Sequence, residues 1–579
     1  MLSKPSSNVQ LTDEQIEIVN SQGDLKINAV AGSGKTTTVI EYAKCRPDVP
    51  ILYLAFNRSV RQEAERKFRQ LGLTHVQVET AHSLAHRHVV RKSTYSLRTG
   101  YSSFELTQLL DLKPHRRDKL APFILANHIN KFAAYFCNSA RAKVSDLSYL
   151  DIVVEDKARE FVAKHYDEIL QRTRTLLAKM EHGEIDITHD FYLKKFQLLQ
   201  PRLPFAIILF DEGQDASPAM LDVFLKQSAT HIIVGDRHQQ IYGWRFAVNS
   251  LDTVDFPQKS LTCSFRFDQE IAVLAEKILL WKRHFAETNS SMIRGIGGVT
   301  SCSRYATLAR SNTLLLTRAI QLLFERREIK NHYFEGNFGS YLYADGGNSL
   351  YDVLNLYLDH PEYIKDPLIK TMTSFNQLED YAAKTEDNTL KLIIDLIKQY
   401  GSELPALLKK LKEAQVPDDR REQADMIFST VHRSKGLEYD HVTVMSDFIS
   451  ESDIIRAVEV QAKKPINKSA LAEEVNLLYV AVTRTANRLK LPSQYAPDSH
   501  VTLYNPDDEQ RQSMRRDFKD DPFGRRGESF FQNSRKWTAE EEKELIQIYR
   551  SNKNIELISR YLHRSPSAIV IRLEKLGAL

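Results

Sequence analysis

The stretch Ala29-Val30-Ala31-Gly32-Ser33-Gly34-Lys35-Thr36 decides how the rest of the chain is read. Upstream, Leu25-Lys26-Ile27-Asn28-Ala29-Val30 is short, apolar and partly alternating, as a strand is; downstream, Thr36 to Lys44 has helix-forming spacing. A glycine-rich loop at such a strand-to-helix junction is a phosphate cradle. Gly32 and Gly34 let successive backbone N–H groups curl around phosphate oxygens at a helix N-terminus. Lys35 reaches the β- and γ-phosphates, and the Thr36 hydroxyl is placed for Mg²⁺. Ala31, Ser33 and Thr37 belong to the same expected nucleotide contact. One position departs from G-x-x-x-x-G-K-[ST], since Ala29 stands for the first glycine. The bland alternative is a glycine-rich turn with a chance lysine.

At 579 residues the chain is too long for one core and suggests about three to five domains. Hydrophobic content of 42% and charged content of 27% are those of an ordinary globular protein. A net charge of +4 is too small to indicate a partner, so any basic nucleic-acid surface must be local. Cys45, Cys137, Cys263 and Cys302 are far apart, without the paired spacing of a zinc or iron–sulfur site, which fits a reducing compartment. The first residues lack an apolar export core, and runs such as Phe205 to Phe210 are too short to span a bilayer. The expectation is a soluble protein that is neither secreted nor membrane-bound.

Along the chain, Thr12 and Gln15 have capping-box spacing at the start of a helix, which gives Gln15 a structural reason to be there. Pro50 to Phe56 reads as a buried strand, Ser59 to Leu71 as a helix stopped at Gly72, and Thr74 to Thr80 as a third strand. From about Leu84 to Pro201 the pattern is helical, for example Ala121 to Phe136 and Glu155 to Met180. Within it, Glu181 to Asp190 is dense in metal-ligand types but matches no standard spacing, so a structural or DNA-facing loop stands ahead of a metal site. Phe205 to Phe210 and His231 to Val234 are strands that deliver Asp211-Glu212 and Gly235-Asp236 at their C-terminal ends, where open α/β sheets bind ligands. Further strands are expected at Thr313 to Thr317, Met426 to Thr430, His441 to Met445 and Arg488 to Leu491, with a helical interruption from about Asn337 to Asp425. Pro492 to Arg535 reads as a linker. Three short helices follow, at Ala539 to Arg550, Ile555 to Leu562 and Ser567 to Leu576, the first with a capping box at Thr538 and Glu541.

The order of these pieces is the stronger signal. Gln15, Ala29 to Thr36, Asp211-Glu212-Gly213-Gln214-Asp215, Gly235 to Arg245, Ser264-Phe265-Arg266, Thr430 to Tyr439 and Tyr479 to Arg484 together resemble the superfamily 1 helicases of the UvrD/PcrA/Rep type, over residues 11 to 491. Ala55 to Val60, Ile187 to Asp190 and the reduced second insertion resemble the helicase part of the F-box DNA helicase branch, although the few residues before Gln15 leave no room for an F-box. The resemblance implies an α/β fold of two RecA-like P-loop lobes with two mainly helical insertions, plus a small all-α C-terminal domain. The implied division is 1–83, 202–255 (first lobe), 84–201 (its insertion), 256–336 and 426–491 (second lobe), 337–425 (its insertion), 492–535 (linker) and 536–579 (tail).

What the resemblance implies for single residues agrees with their chemistry. Lys35 neutralises the transferring phosphoryl group, Thr36 and Asp211 hold Mg²⁺, and Glu212 activates the attacking water. Gln239 senses the γ-phosphate, and Arg266 and Arg484 reach the ATP from the second lobe. Gln15 reads the adenine edge and Glu438 the ribose. For the track, Tyr242 and Trp244 stack on bases of single-stranded DNA, His82, Thr430 and His432 meet its backbone, and Phe56 adds a stack.

Departures are expected to weaken nucleotide coupling without abolishing activity. Val475 and Asn476 stand where UvrD has basic residues, and Thr37 where it has Arg. The tail, with Trp537, Glu541, Leu562 to Ile569 and Arg572-Leu573, resembles a Myb/SANT-like domain. Arg564, Arg572 and Lys575 are its obvious cations, and duplex or junction DNA competes with a protein as its partner. The expected function is an ATP-dependent DNA helicase or translocase moving 3′→5′ on single-stranded DNA, engaging tailed or forked duplex, in repair, recombination or genome defence. The alternatives are an ATP-gated factor that displaces proteins from DNA with little unwinding, and a nuclease-complex subunit that relies on a partner to cut. The setting would be the bacterial nucleoid or the eukaryotic nucleus.

Overall fold

The computed structural model describes residues 10–578 except 114–117, 288–291, 299–302, 337, 343–348, 461–466, 497–500, 506–536 and, in the tail, 552–554, 556–557, 559–561 and 563–565. The chain divides into two units, residues 1–319 with 330–503, and residues 320–329 with 504–579. Among the described residues no helix is long and apolar enough to cross a membrane.

In the first unit, β1 (Leu25–Ala29), β2 (Ile51–Ala55), β3 (Val76–Thr80), β4 (Ile207–Asp211), β5 (Thr230–Gly235) and β6 (Gln258–Leu261) form a six-stranded parallel sheet in the order β3-β2-β4-β5-β1-β6. β2 and β4 are buried at every position, as central parallel strands covered on both faces must be, which is why they read as unbroken apolar runs. The expected start of the second lobe at residue 256 moves past Leu261, because Gln258–Leu261 pairs with β1 and closes the first sheet. β7 (Cys263–Ser264) and β8 (Arg294–Gly295) pair separately. β9 (Tyr305–Ala309), β10 (Tyr333–Phe334), β11 (Ile427–Thr430), β12 (Tyr439–Val444), β13 (Thr485–Pro492) and β14 (Thr502–Tyr504) form the second sheet, in the order β10-β11-β9-β12-β13-β14. The mixed α/β architecture is that of two RecA-like lobes.

Three expectations need correcting. Thr313 to Thr317 is not a strand; it lies inside the helix Asn312–Ile320, and the strand is Tyr305–Ala309 just before it. A five-residue apolar run does not by itself separate the two. The helix expected over Glu155 to Met180 is two, Asp156–Lys164 and Tyr166–Glu181, broken at His165 with φ −113° and ψ 20°. The expected linker begins with order: Ser493–Tyr495 forms a turn that buries Tyr495, and Thr502–Tyr504 adds a strand. The rest of that stretch, residues 497–500 and 506–535, lies outside the described residues.

The two helical insertions touch one another. Glu386, at φ 51° after the helix Phe375–Lys384, accepts the backbone N–H groups of Val154 (2.7 Å) and Glu155 (2.6 Å), at the start of Asp156–Lys164. His128 and Lys131, on the helix Ala121–Asn138, bond to the carbonyls of Lys384 (3.0 Å) and Thr385 (2.6 Å). A carbonyl only accepts, so His128 carries its proton on Nε2 and takes the Tyr149 hydroxyl on Nδ1 at 2.9 Å. Burial pushes its pKa down to about 4, so the ring is neutral at physiological pH.

In the tail, Leu545, Ile558, Ile569 and Leu573 form a small core between the helices Ala539–Ser551 and Pro566–Lys575. The middle helix expected at Ile555 to Leu562 falls mostly outside the described residues.

Since the helix Asp156–Lys164 has no side-chain cap of its own, Glu386 supplies one from the other insertion. Glu386→Ala is expected to cost about 0.5–2 kcal/mol locally. Amide hydrogen exchange should speed up at both 150–165 and 380–390; unchanged exchange on both sides would show that the contact holds nothing in place.

Candidate active site and nucleic-acid track

The cradle takes its shape from Gly32 and Gly34, whose φ values are 74° and 77°. A Cβ on Gly32 would lie 2.7 Å from Arg266 Cβ and 2.8 Å from Ser264 Oγ. Ala29 departs from the sequence pattern without consequence for the loop, because it is the last residue of β1, fully buried and extended. Ser33 Oγ is buried with no hydrogen-bond partner, an orphan polar atom in a cradle built for oxygens. Ala31 is buried, and Thr36 and Thr37 are half-buried in the first turn of Lys35–Lys44.

Gln15 has the structural role expected of it and also borders the cradle. Its Oε1 accepts from Thr12 N (3.0 Å), its backbone N–H reaches Thr12 Oγ1 (3.3 Å), and its Nε2 donates to Thr38 Oγ1 (3.2 Å). A Cβ on Gly34 would lie 2.9 Å from that Nε2.

The acids stand at the C-terminal ends of β4 and β5. Lys35 Nζ donates to Glu212 Oε1 at 2.8 Å. Burial alone would lower the Lys35 pKa, but Glu212, Asp211 and Asp236 together hold it above its ordinary value. Asp211 and Glu212 are adjacent and move apart: burial and the neighbouring Glu212 charge raise Asp211, whereas Lys35 and Lys435 outweigh burial and lower Glu212. Asp211 accepts the Tyr53 hydroxyl and the Glu212 backbone N–H (3.0 Å). Glu212 itself sits at φ 53°, a left-handed conformation that turns its carboxylate towards Lys35 and Gln214. Asp211 stands close enough to Lys35 to hold its charge, and the Thr36 hydroxyl follows Lys35 in the first turn of the helix; a carboxylate and a hydroxyl are oxygen donors of the kind that suit a divalent cation.

The second lobe supplies cations to the same place. Arg484, 1% exposed, donates from Nη2 to Gln239 Oε1 (3.3 Å), from Nη1 to Leu437 O (3.3 Å) and from Nε to Val480 O (3.2 Å). Burial, then the nearby Arg266, pushes its pKa down to about 9. Two crowded guanidiniums make a site suited to an anion. Arg266 pairs with Glu438 (3.1 Å) and with Thr483 O (2.9 Å). Gln239 donates to Asp236 Oδ2 (2.8 Å), the oxygen that also accepts the Tyr479 hydroxyl (2.9 Å).

Sequence reasoning assigned no role to three residues that the geometry places in the site. Lys435 crosses from the second lobe to pair with the buried Asp215, and it donates to Gln239 O at 2.6 Å. Phe265 is 47% exposed beside Gly34, and its N–H bonds to Gly32 O (2.9 Å), so its ring borders the cradle where a base would lie. Both sit inside the quoted motifs, but only the fold shows what they face. Tyr53, inside an apolar strand, gave no signal at all.

Phe56, Tyr242, Trp244 and His432, four of the residues expected to meet DNA, lie together in one row. Tyr242 stacks on Phe56 (ring centroids 5.4 Å apart), lies 6.5 Å from Trp244 and 5.9 Å from His432, and donates its hydroxyl to His432 O (3.0 Å). Trp244 is 62% exposed, with the Arg245 guanidinium over its ring at 4.7 Å. Thr430 is buried at the end of β11, as the residue preceding the short helix Val431–Ser434. His82 stands apart from this row, edge-on to Tyr192 at 6.0 Å, with Arg245, His189 and Asp190 near enough to influence its charge. In the stretch once considered for a metal, Glu181 pairs with Lys195, Glu184 with Lys179 (3.0 Å), and Thr188 caps the helix His189–Leu199. No group of three or more His, Cys, Asp or Glu among the described residues is arranged to hold a metal ion.

In the tail, Arg572 pairs with Glu542 and lies 6.0 Å from the centre of the Trp537 ring. It is therefore engaged within its own unit. Arg564 lies outside the described residues, and Lys575 is exposed.

A phosphate cradle and acids on one lobe, with arginines from a second lobe meeting them, are gathered at the cleft between two RecA-like halves. The chain belongs to the UvrD-like helicases: residues 11–253 match the UvrD/REP helicase N-terminal domain and residues 262–494 the UvrD-like helicase C-terminal domain. It is 31% identical over 529 residues to F-box DNA helicase 1 of Gallus gallus, covering 85% of this chain and 50% of that protein. It is 28% identical over 525 residues to F-box DNA helicase protein 1 of Schizosaccharomyces pombe, covering 83% and 57%. A probable DNA helicase II homolog of Mycoplasma genitalium is 27% identical over 281 residues, covering 43% and 40%. The chain spans about half the length of the two F-box relatives.

If the cradle depends on left-handed glycines and not on the first position of the pattern, two substitutions will behave oppositely. Gly32→Ala, strained by about 1–2 kcal/mol and in collision with Arg266, is expected to weaken nucleotide binding tenfold or more. Ala29→Gly is expected to leave affinity unchanged in a nucleotide titration. Tighter binding by Ala29→Gly would mean that position 29 does shape the loop.

Proposed function

We propose that this protein is an ATP-dependent DNA helicase that moves 3′→5′ along single-stranded DNA and engages tailed or forked duplex. The observation that carries this reading is the line of contacts from the cradle to the aromatic row. Lys435 pairs with Asp215, touches the Gln239 backbone and lies 5.1 Å from the Tyr242 ring centre, on which Phe56 stacks. A change at the γ-phosphate that moves Gln239 would therefore reach the residues proposed to hold the strand. The direction of movement and the engagement of forked DNA rest on the family resemblance, and the names of the F-box relatives support a role in the nucleus.

In this reading Gly32, Ser33, Gly34 and Lys35 bind the phosphates, Phe265 covers the base beside Gln15, and Thr36 with Asp211 holds Mg²⁺. When bound by Thr36 and Asp211, the ion would supply charge neutralisation for the phosphates. Glu212, kept ionised by Lys35 and Lys435, accepts the proton of the attacking water as the water oxygen bonds to the γ-phosphorus and the bond from that phosphorus to the β–γ bridging oxygen breaks, the electron pair leaving on ADP. Arg484 and Arg266 neutralise the charge that builds on the phosphoryl oxygens. Gln239 relays loss of the γ-phosphate to Tyr242, three residues on. Tyr242, Trp244 and Phe56 grip bases without reading them, since every base has a π-face. The tail, Trp537 to Leu579, serves as a Myb/SANT-like anchor for duplex or forked DNA, with Lys575 and Arg564 as its cations.

Lys35→Ala should lose ATP affinity. Glu212→Gln should bind ATP but not turn it over. Arg484→Ala should lower DNA-stimulated turnover by about 10³ with DNA affinity little changed. Duplexes with 3′ or 5′ single-stranded tails, unwound alongside ATPase measurements, test the reading directly. Turnover without unwinding of either substrate would favour the protein-displacing alternative instead.

The two DNA contacts should separate. Trp244→Ala should weaken single-strand binding by about 1–3 kcal/mol for all sequences. Deletion of Trp537 to Leu579 should spare single-strand-stimulated ATPase while flattening the salt dependence of duplex and fork binding. Fork binding unchanged at every salt concentration would make the tail a protein-docking module.

A further inference from the structure

The sensor Gln239 is flanked on both sides by residues tied to one ammonium group. The helix Lys468–Val482 approaches the Asp236–Gln240 loop with Tyr479, whose hydroxyl bonds to Asp236, and with Asn476, three residues earlier and on the same face. Asn476 is 3% exposed, and its Nδ2 donates to Gln240 O at 2.8 Å. Its Oδ1 accepts from Lys282 Nζ at 2.6 Å, and the same Nζ lies 3.2 Å from His238 Nδ1. Lys282 belongs to the turn Trp281–His284 that ends the helix Gln269–Leu280.

The chemistry of these groups makes Lys282 the directing member. An ammonium only donates, so it fixes the Asn476 amide with Oδ1 towards itself, which leaves the NH₂ for the Gln240 carbonyl. Burial, and then the Lys282 charge, holds His238 well below its ordinary pKa, so its ring is neutral and Nδ1 accepts from the ammonium. Without the ammonium, Asn476 Oδ1 and His238 Nδ1 lose that donor, and nothing in this set selects the amide orientation that holds Gln240.

We infer that Lys282 is a positioning residue for ATP turnover, acting through Asn476 and His238 to hold the backbone on either side of Gln239 where its side chain meets Asp236 and Arg484. This rests on the nucleotide-motor reading of the site. The Lys282 ammonium stands in a small field of charges: Asp236 and Asp252 favour it and Arg237 opposes it, with His238 in contact. A cavity of about 800 Å³ lined by Arg237, His238, Glu276, Glu287, Lys282 and Lys468 gives it access to protons. Burial pushes its pKa from 10.5 down to about 8. Its charge is therefore lost as pH rises through about 8, well before that of an ordinary lysine.

The test uses the full chain, with ATP and single-stranded DNA. Lys282→Met is expected to lower DNA-stimulated kcat by on the order of tenfold to a hundredfold while KM for ATP moves little, the mark of a misplaced group and not of a lost binding contact. The wild-type kcat should fall with a midpoint near pH 8. In Lys282→Arg, which stays charged, the midpoint near pH 8 should be lost, leaving only the fall at higher pH set by Arg484, while activity at pH 7 is kept. Adding Asn476→Arg to Lys282→Met, which returns a cation able to reach both Gln240 O and His238, should restore much of the loss. If wild-type ATPase is not stimulated by DNA, the motor reading itself fails. If it is stimulated but Lys282→Met equals the wild type, or Lys282→Arg shows the wild-type pH profile, the inference is overturned; the Lys282→Arg profile decides even if Lys282→Met does not fold.

Discussion

The structure depends on the burial of opposite charges between the two lobes. Asp211, Glu212, Asp215 and Asp236 come from the first sheet; Lys435, Arg266 and Arg484 come from the other side of the cleft. Lys435 and Asp215 are nearly free of solvent, with side chains 8% and 0% exposed. Removing one member of such a pair leaves an uncompensated buried charge, which costs far more than the pair contributes when intact. The lobes are thus held at a spacing set by electrostatics as well as by apolar packing. A ligand that brings phosphate charge between Lys35, Arg266 and Arg484 must alter that balance, which gives nucleotide binding a direct mechanical consequence.

That consequence is directed by a short segment. From Asp236 to Trp244 the chain passes from a carboxylate held by Tyr479 and Gln239, through the Gln239 amide facing Arg484, to the half-buried ring of Tyr242 and the exposed ring of Trp244. Contacts from the second lobe arrive along its length: Tyr479 at Asp236, Lys435 at Gln239, Asn476 at Gln240, and Glu473 at the Gly243 N–H (3.1 Å). A Cβ at Gly243 would come within 2.2 Å of the Glu473 carboxylate, so a larger residue there would push that side chain aside. The absence of a basic residue at Asn476, expected from sequence to loosen nucleotide coupling, is met by Lys282 from a neighbouring helix.

The helical insertions add a connection between parts that are distant in sequence. Their contact is made by backbone amides and carbonyls with the Glu386 carboxylate, the Lys131 ammonium and a buried neutral histidine, His128. Such a contact depends on geometry more than on hydrophobic area. It ties an insertion of the first lobe to one of the second, so movement of the lobes is transmitted to it or must break it.

The sequence alone determined the cradle, the acids at strand ends and the order of motifs, because each depends on residues close together in the chain. Gly32, Lys35 and Asp211-Glu212 declare their chemistry wherever they fall, and β2 and β4 are legible because a strand buried on both faces has to be apolar throughout. Readings failed where local pattern is ambiguous or partners are remote. Leu314-Leu315-Leu316 suits a helix or a strand equally, and Gln258–Leu261 could be given to its sheet only through its pairing with β1. Arg572 is a cation of the tail by sequence, and only the fold pairs it with Glu542, thirty residues away. The roles of Lys435, Tyr53 and Lys282 were decided by tertiary structure, because a side chain's charge and hydrogen bonds depend on partners brought to it by folding. Those partners lie 220, 158 and 194 residues away in the chain.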